Sequence, residues 1–297
     1  MRTFSYSVVD VFTQTPLEGN ALAVLPDARG LSSDEMQRLA REFNLSETTF
    51  ILPNERAACA LRFRIFTPRM EMRFAGHPTL GGAFVALERG LIPATTERLF
   101  IEELVGAVPV RIERGAATRM WLTTPPIEFG PRFDPHVCAE VLGIECEDMF
   151  DAEPQWVSAG NPNIYVALRD PAAVDRAWVD VAGVRRLQGA KANAGVFVFA
   201  PTAGGAYSRS FAPEHSVLED PATGSATGPL AAYMMQHGFI PAADGTHFVS
   251  EQGTKMGRRS LLHVEIRGAH GSGGIDVGGH VVPLGEGVLR LPGGMNA

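Results

Sequence analysis

One acidic side chain lies where the sequence could use it to move a proton. Glu47 belongs to the segment Asn44-Leu-Ser-Glu-Thr-Thr-Phe50, in which polar residues meet the start of an apolar strand. Burial against Phe50 would raise the pKa of the Glu47 carboxyl group towards neutrality, as a general base at neutral pH requires. The alternative interpretation is a solvated glutamate at a strand end.

Two glycines mark the starts of two helices that are apolar on nearly every side. The first helix follows Phe74-Ala-Gly-His-Pro-Thr79 and ends at Gly90, and the second begins at Gly224-Ser225 and ends at Gly238. In the first helix we expect His77 at the N-cap, followed by a proline at the first helical position. A helix that is apolar all round is buried, so we expect strands to surround each helix.

The two helices belong to an internal repeat. At an offset of 148 residues Pro53 falls on Pro201, Gly76 on Gly224 and Gly90 on Gly238, and at an offset of 141 Gly19-Asn20 falls on Gly160-Asn161. The repeat predicts an α+β fold of two pseudo-symmetric lobes, each a curled, mostly antiparallel sheet around a central buried helix. A proline-rich linker places the lobes at residues 1–123 and 124–297, with a C-terminal strand that can return to the first lobe.

The paired helix starts point to an anion site. The N-terminus of a helix carries amide groups without intrahelical partners and the positive end of the helix dipole. If the lobes face each other, both ends point at one cleft, where Gly76 and Gly224 leave room for a ligand carboxylate and where His77 and Ser225 add directional donors. The alternative is that both glycines only permit tight helix packing, and the occurrence of the pair favours the anion site.

The two halves of the repeat differ in their acidic residues, and this difference indicates which residues have catalytic roles. Glu47 falls opposite Gly195, so a carboxylate is present in only one lobe and is the candidate general base. The other asymmetric acid is Asp220, one turn before the second helix. Its competing interpretation is a turn aspartate that bonds its own backbone ahead of Pro221.

Composition and motifs exclude several other function classes. The net charge of −7 over 297 residues argues against a nucleic-acid partner. No apolar run of 18 residues and no signal-peptide pattern occurs, so we expect no membrane partner and a cytoplasmic location. Three cysteines without paired spacing, and histidines without metal spacing at 263, 270 and 280, predict no metal site. Neither a phosphate-binding loop nor a dinucleotide fingerprint is present.

The sequence also predicts two local elements, one near each end of the chain. Ser32-Ser-Asp-Glu35 has the pattern of a capping box and opens a predicted helix that closes at Asn44, with an apolar stripe of Met36, Leu39, Ala40 and Phe43. Near the C-terminus, the glycine-rich segment Gly278–Gly287 predicts a hairpin.

At these motifs the sequence resembles the phenazine-biosynthesis PhzF-like family, within the diaminopimelate epimerase-like fold. The resemblance spans nearly the whole chain and is carried by Gly19-Asn20, Leu45-Ser-Glu-Thr-Thr-Phe50, Phe74-Ala-Gly-His-Pro-Thr79, Phe211-Ala-Pro213, Glu219-Asp-Pro-Ala-Thr-Gly-Ser-Ala226 and Met256-Gly257-Arg258. It implies two pseudo-symmetric lobes with an active site in the cleft between them, a homodimer, and neither a metal nor an organic cofactor.

The resemblance also implies roles for individual residues. Glu47 would take a proton from one substrate carbon and return it to another carbon on the same face, while His77 and Asp220 orient the substrate or assist proton movement. Related amino-acid epimerases use two thiols at the helix starts, but Ala75 and Thr223 occupy those positions here. A two-cysteine epimerase is therefore not expected. The implied substrate-binding residues are Asn20, Gly76, Gly224 and Ser225.

The leading hypothesis is a cofactor-independent isomerase that shifts a proton on a small carboxylate, with Glu47 as the acid and base. A second hypothesis is a non-catalytic protein of the same fold that keeps the anion cleft and binds small carboxylates. A third, a serine hydrolase with Ser225 as nucleophile, lacks the flanking glycines of a nucleophile elbow, because Thr223 and Thr227 stand in their places.

Overall fold

The computed structural model describes residues 1–188, 194–213 and 217–293. It is a mixed α+β fold dominated by strands, with few helices, which confirms the predicted class. The chain forms two compact units, one of Met1–Leu122 with the chain from His280 onward, the other of Thr123–Gly279. No helix of the described residues is both long and apolar enough to cross a membrane.

The elements follow one another along the chain in two series. The first series consists of β1 Arg2–Val11, β2 Asn20–Leu25, α1 Ser33–Phe43, β3 Glu47–Leu52, β4 Leu61–Phe66, β5 Glu71–Met72, α2 Gly76–Glu88, β6 Arg98–Glu103, β7 Gly106–Glu113 and β8 Arg119–Thr123. The second consists of β9 Glu128–Arg132, α3 Pro135–Leu142, β10 Gln155–Ser158, β11 Pro162–Ala167, α4 Pro171–Arg176, α5 Val181–Gln188, β12 Gly195–Thr202, β13 Gly205–Ala212, β14 Val217–Asp220, α6 Gly224–Gln236, β15 His247–Gln252, β16 Ser260–Arg267 and β17 Gly274–Leu291.

The first unit surrounds α2 with strands. β1 pairs antiparallel with β2, β2 runs parallel to β3, and β3 pairs antiparallel with β4. Helix α2 packs against all four of these strands, and every residue from Gly76 to Ala86 is buried. A Cβ atom on Gly82 would lie 2.7 Å from the Phe63 ring, so the missing side chain lets the helix approach the sheet closely.

Helix α1 packs against the other face of β3 and β4. The sequence pattern alone predicted both ends of this helix correctly. Ser32 caps the helix in a capping box with Glu35, and Asn44 ends it in the left-handed conformation, as predicted. Its apolar stripe packs in a cluster with Phe50 and Phe66. Both capping signals lie within one turn of the helix end, so they did not depend on the rest of the fold.

The second unit is built on a similar order of elements. β11 runs parallel to β12, β12 pairs antiparallel with β13, and α6 packs against β10, β11 and β16. Every residue of α6 from Gly224 to Met234 is buried, in a cluster that includes Tyr165 and Phe199. Helices α3, α4 and α5 contribute to a separate apolar cluster that also contains Phe211.

Two local predictions were wrong. The N-cap of α2 is Ala75, so that His77 is the second helical residue and Pro78 the third, a position where proline is tolerated because its missing N–H has no intrahelical partner. The segment Gly278–Gly287 is part of the continuous strand β17 and not a hairpin. Neither Gly278 nor Gly279 has a positive φ, and the strand runs through both residues.

The turn before β2 requires glycine at position 19. Gly19 has a φ of +67°, and a Cβ atom there would lie 2.3 Å from the carbonyl oxygen of Val11. Gly30 has a similar φ of +85°, but no atom lies within 4 Å of the corresponding Cβ position.

We expect the substitution Gly19→Ala to lower the free energy of unfolding by roughly 3 kcal/mol or more, because backbone strain and a backbone clash add. Gly30→Ala, the matched control, meets only the left-handed penalty of about 1–2 kcal/mol. Urea denaturation of both variants measures the difference. Equal losses of stability would show that the clash at position 19 is relieved elsewhere.

Candidate functional site

A parallel pair of strands places the candidate base next to an amide side chain. In the pairing of β2 with β3, Leu22 is opposite Glu47, so the first residues of both strands, Asn20 and Glu47, lie at the same edge. Asn20 is buried, and the Glu47 side chain keeps 15% of its surface exposed. At this edge of the sheet the Glu47 carboxylate is therefore accessible to solvent, whereas the Asn20 side chain is not.

The start of α2 brings His77 between these two side chains. Its Nδ1 atom is 3.3 Å from Asn20 Nδ2, and its Nε2 atom is 3.5 Å from Glu47 Oε2. The Asn20 amide nitrogen can only donate, so Nδ1 is the acceptor and the ring hydrogen lies on Nε2. This tautomer directs an N–H group at the Glu47 carboxylate.

His77 offers this hydrogen as a neutral group. Complete burial lowers the pKa of the imidazole from 6.5 to about 3, because the charged form loses its hydration. At neutral pH the ring is therefore an uncharged neighbour of the Glu47 carboxyl group, and the two side chains do not form an ion pair. A carboxylate held without a counter-charge keeps its capacity to accept a proton.

The backbone of the same helix start adds further donors. Gly76 and His77 are the first two helical residues, whose amide groups have no carbonyl partner within an α-helix. The Thr49 hydroxyl donates to the carbonyl oxygen of Pro78 at 3.3 Å and ties this turn to β3. The first unit thus combines Asn20, Glu47, His77 and the Gly76 amide in one place.

In the second unit Asp220 is the last residue of β14, four positions before α6. Its Oδ2 atom accepts a hydrogen bond from the Thr223 hydroxyl at 2.6 Å. Gln252, at the end of β15, donates to the Asp220 carbonyl oxygen at 2.7 Å and to the Thr223 hydroxyl at 3.0 Å. Its own carbonyl accepts the Thr223 amide hydrogen at 3.1 Å.

Ser225 lies in the first turn of α6, after Gly224. Its hydroxyl oxygen accepts a hydrogen bond from Asn161 Nδ2 at 3.4 Å, so its own hydrogen can be donated to another group. Asp220 and Ser225 share the helix start but bond to different side chains. Both residues are largely buried, with 9% and 8% of their surface exposed.

The position that corresponds to Glu47 in the second unit has no space for a side chain. Gly195 begins β12 opposite Asn163, and a Cβ atom on it would lie 2.3 Å from Asn163 Oδ1 and 3.0 Å from the carbonyl oxygen of Phe211. An acid at position 195 would displace Asn163. The asymmetry that the sequence suggested at Glu47 therefore has a steric reason.

The sequence did not single out two residues that bond to the helix starts. Gln252 anchors Asp220 and Thr223, and the buried Glu103 bonds to Thr79 in the first turn of α2. Both are the last residues of strands, and no spacing rule connects a strand end with a helix start elsewhere in the chain. Within the described ranges no group of three or more His, Cys, Asp or Glu side chains could hold a metal ion.

Comparisons with known proteins give matches that cover nearly the whole chain. The family model of phenazine biosynthesis-like proteins, PhzC-PhzF, matches residues 9–287. A trans-2,3-dihydro-3-hydroxyanthranilate isomerase of Pseudomonas chlororaphis is 35% identical over 291 residues, which cover 96% of this chain and 99% of the relative.

Two solved structures show the same fold. A PhzF-family phenazine biosynthesis protein of Bacillus anthracis has a TM-score of 0.88 at 25% identity, over 98% of this chain and all of the other (100%). A hydroxyproline epimerase from Agrobacterium vitis, with bound trans-4-OH-L-proline, has a TM-score of 0.67 at 14% identity, over 97% and 92% of the two chains. At that identity the second similarity shows the fold alone.

The protonation state of His77 can be measured directly. We expect its imidazole to stay neutral, with the hydrogen on Nε2, from about pH 8 down to about pH 5, because burial holds its pKa near 3. Nitrogen-15 NMR of histidine-labelled protein, assigned with a His77→Gln variant, reports both the charge and the tautomer. An imidazolium signal for His77 at about pH 6, or a hydrogen on Nδ1, would contradict this geometry.

Proposed function

The chain belongs to the phenazine biosynthesis-like (PhzF) family and is an isomerase, and on this premise we propose that it shifts a proton between two carbon atoms of a small carboxylate substrate, with Glu47 as the general acid and base. The observation that carries the proposal is the 3.5 Å contact between Glu47 Oε2 and Nε2 of the neutral His77. It places the carboxyl group beside an uncharged ring that does not neutralise it.

Each step of the proposed reaction uses groups of the chain itself. Glu47 takes a proton from one carbon atom, and the C–H electron pair is delocalised into the unsaturated substrate. The protonated Glu47 then returns the proton to a second carbon on the same face, so the base is regenerated. His77 remains neutral throughout and keeps the carboxyl group aligned for both transfers. One placed acid–base group contributes ~10² to 10⁴ in rate.

The start of α2 supports this chemistry electrostatically. Proton abstraction leaves negative charge on the substrate, and the amides of Gly76 and His77 at the positive end of the helix dipole are suited to bind a substrate carboxylate next to that charge. A helix terminus contributes roughly 0.3–1 kcal/mol to such an anion when it is exposed, and more when it is partly buried. This site needs neither a metal ion nor an organic cofactor in the proposed mechanism.

We further propose that the second helix start binds the same substrate. In this proposal Asp220 and Ser225 orient the substrate and assist proton movement, with backbone donation from Gly224 and a contact from Asn20. The sequence repeat and the family resemblance support it, together with the two units' shared order of parallel strands followed by a buried helix. The proposed architecture is two pseudo-symmetric lobes, residues 1–123 and 124–297, each with one central helix, and the C-terminal strand returns to the first lobe from His280 onward.

The relatives indicate which substrates to test. The curated relative from Pseudomonas chlororaphis is named for trans-2,3-dihydro-3-hydroxyanthranilate, a small carboxylate, and we propose this compound as the first candidate. Small cyclic carboxylates that carry an acidic C–H group next to a double bond form the wider class. We also propose that the protein is a homodimer, as the family resemblance implies.

The role of Glu47 is tested by isotope exchange. In heavy water, the protonated Glu47, which is 15% exposed, can exchange its proton with the solvent before it returns one to the substrate. Turnover of trans-2,3-dihydro-3-hydroxyanthranilate by the unchanged protein should therefore introduce deuterium into the product, which mass spectrometry detects. The substitution Glu47→Gln preserves the shape but cannot accept the proton, so we expect the rate to fall by ~10² to 10⁴. Glu42→Gln, which removes an exposed carboxylate on α1, is the matched control and should retain the rate. Undiminished exchange in Glu47→Gln would exclude Glu47 as the base.

Ser225 is tested as a substrate ligand. Because its hydroxyl hydrogen is available for donation, we expect Ser225→Ala to raise KM by about tenfold with a smaller change in kcat, the size of one hydrogen bond to a charged group. Ser272→Ala, at an exposed turn, is the control. An unchanged KM would show that Ser225 does not contact the substrate.

A further inference from the structure

A buried acid that takes no part in the proposed proton transfer lies beside the first turn of α2. Glu103 is the last residue of β6, and 5% of its surface is exposed. Its Oε1 atom is 2.5 Å from the hydroxyl oxygen of Thr79. That hydroxyl is also 2.6 Å from the carbonyl oxygen of Ala75, the N-cap of the helix.

The number of hydrogen atoms decides how these three groups can bond. The Thr79 hydroxyl has one hydrogen, and both of its close neighbours are oxygen acceptors if Glu103 is ionised. One of the two short contacts would then be a repulsion between lone pairs. If Glu103 holds a proton, it donates to the Thr79 oxygen, and Thr79 donates to the Ala75 carbonyl. Both contacts are then hydrogen bonds.

The surroundings of Glu103 favour the same protonation state. Within the described part of the chain, its Oε2 atom is buried and has no hydrogen-bond partner, an arrangement that is costly for a carboxylate. Burial raises the pKa of Glu103 to about 8, although hydrogen bonds from Thr79 and from the Ala75 backbone act in the opposite direction. This balance involves no charged side chain among the described residues.

The arginines on the neighbouring strands are already paired with carboxylates. Strands β4 and β7 flank β6, and the arginines that they carry pair with other carboxylates. The imidazole of His77, in the same helical turn as Thr79, is neutral. The ionisable residues on these elements are Arg62 and Arg64 on β4, Arg111 and Glu113 on β7, and His77 and Glu88 on α2.

The second unit shows the same anchor made with a permanently neutral group. The strand that follows its buried helix, β15, also ends in a side chain that bonds to the helix N-cap, namely Gln252 to Thr223. There the amide oxygen accepts and the amide nitrogen donates. A protonated Glu103 has this same combination of one acceptor and one donor, and an ionised Glu103 does not.

We propose that Glu103 is a positioning residue that stays protonated at neutral pH, donates to Thr79, and thereby holds the first turn of α2 in place without adding negative charge to it. The inference rests on the proposed function in one respect: the fixed turn is the one that presents Gly76 and His77 to the substrate. A carboxylate behind this turn would compete with the substrate carboxylate for the positive end of the helix.

The protonation of Glu103 is tested without any substrate. Unfolding exposes the carboxyl group, whose pKa then returns to about 4.5, so the folded protein binds one proton more than the unfolded chain between about pH 4.5 and pH 8. Stability from this group is complete below that range and declines as the pH rises to about 8. Glu103→Gln removes this decline, so its midpoint in urea should match the unchanged protein near pH 4.5 and exceed it increasingly up to about pH 8. Glu97→Gln, at an exposed position just before β6, should show no such divergence.

The consequence for the site is tested through the pH dependence of KM. In the unchanged enzyme we expect KM for trans-2,3-dihydro-3-hydroxyanthranilate to rise roughly two- to fivefold above about pH 8, with a smaller change in kcat, because the ionised Glu103 weakens anion binding at the helix start. Glu103→Gln should abolish the rise and keep full activity at neutral pH. Glu103→Leu, which cannot donate, should lose activity that glutamine restores.

The outcomes separate this proposal from the assignment of Glu47. Parallel urea midpoints for the unchanged protein and Glu103→Gln across the pH range would overturn the proposal, whatever Glu47→Gln does. So would a glutamine variant as impaired as the leucine variant. If the midpoints diverge as expected but Glu47→Gln still exchanges deuterium, the proposed protonation of Glu103 is supported and the proposed role of Glu47 as the base is excluded. If Glu103→Leu does not fold, the comparison with glutamine decides alone.

Discussion

The proposed role of Glu47 as a base depends on the charge of its neighbour, because a protonated imidazole would lower the pKa of the carboxyl group and weaken it as a base. Here the loss of hydration around His77 keeps the imidazole neutral, since its cation would have to exist at a fully buried position. The Asn20 amide then determines which ring nitrogen carries the hydrogen. The uncharged state of the ring beside Glu47 therefore follows from burial, and the tight packing of α2 against its sheet is what produces that burial.

Local signals were visible in the sequence, and long-range ones were not. The capping box of α1 lies within four residues and was predicted correctly, because both of its partners are close along the chain. The N-cap of α2 was missed because Ala75 has no polar side chain, so His77 was assigned to that position. The glycine-rich segment Gly278–Gly287 indicated a hairpin, although glycine also occurs in extended strands where neighbouring backbones approach closely.

The candidate site shows the same division. Glu47 emerged from the repeat, because its counterpart is a glycine, and the structure adds that Asn163 occupies the space there. Glu103 followed another glutamate at the end of a strand, and nothing in the spacing distinguished it from a surface residue. Its partner Thr79 lies 24 positions earlier, so only the three-dimensional contact connects them. Contacts of this kind depend on how a strand returns to a helix, which composition and periodicity do not encode.

Strand β17 has a consequence for the order in which the protein can fold during synthesis. Its residues from Val281 to Leu291 pair with β1, while its earlier residues pair with β16 in the other unit. On the ribosome β1 is synthesised about 270 residues before this partner, and one of its hydrogen-bonding edges stays unpaired until then. The nascent chain is therefore exposed to edge-to-edge association for most of its elongation, and the first unit closes only after the second has been made.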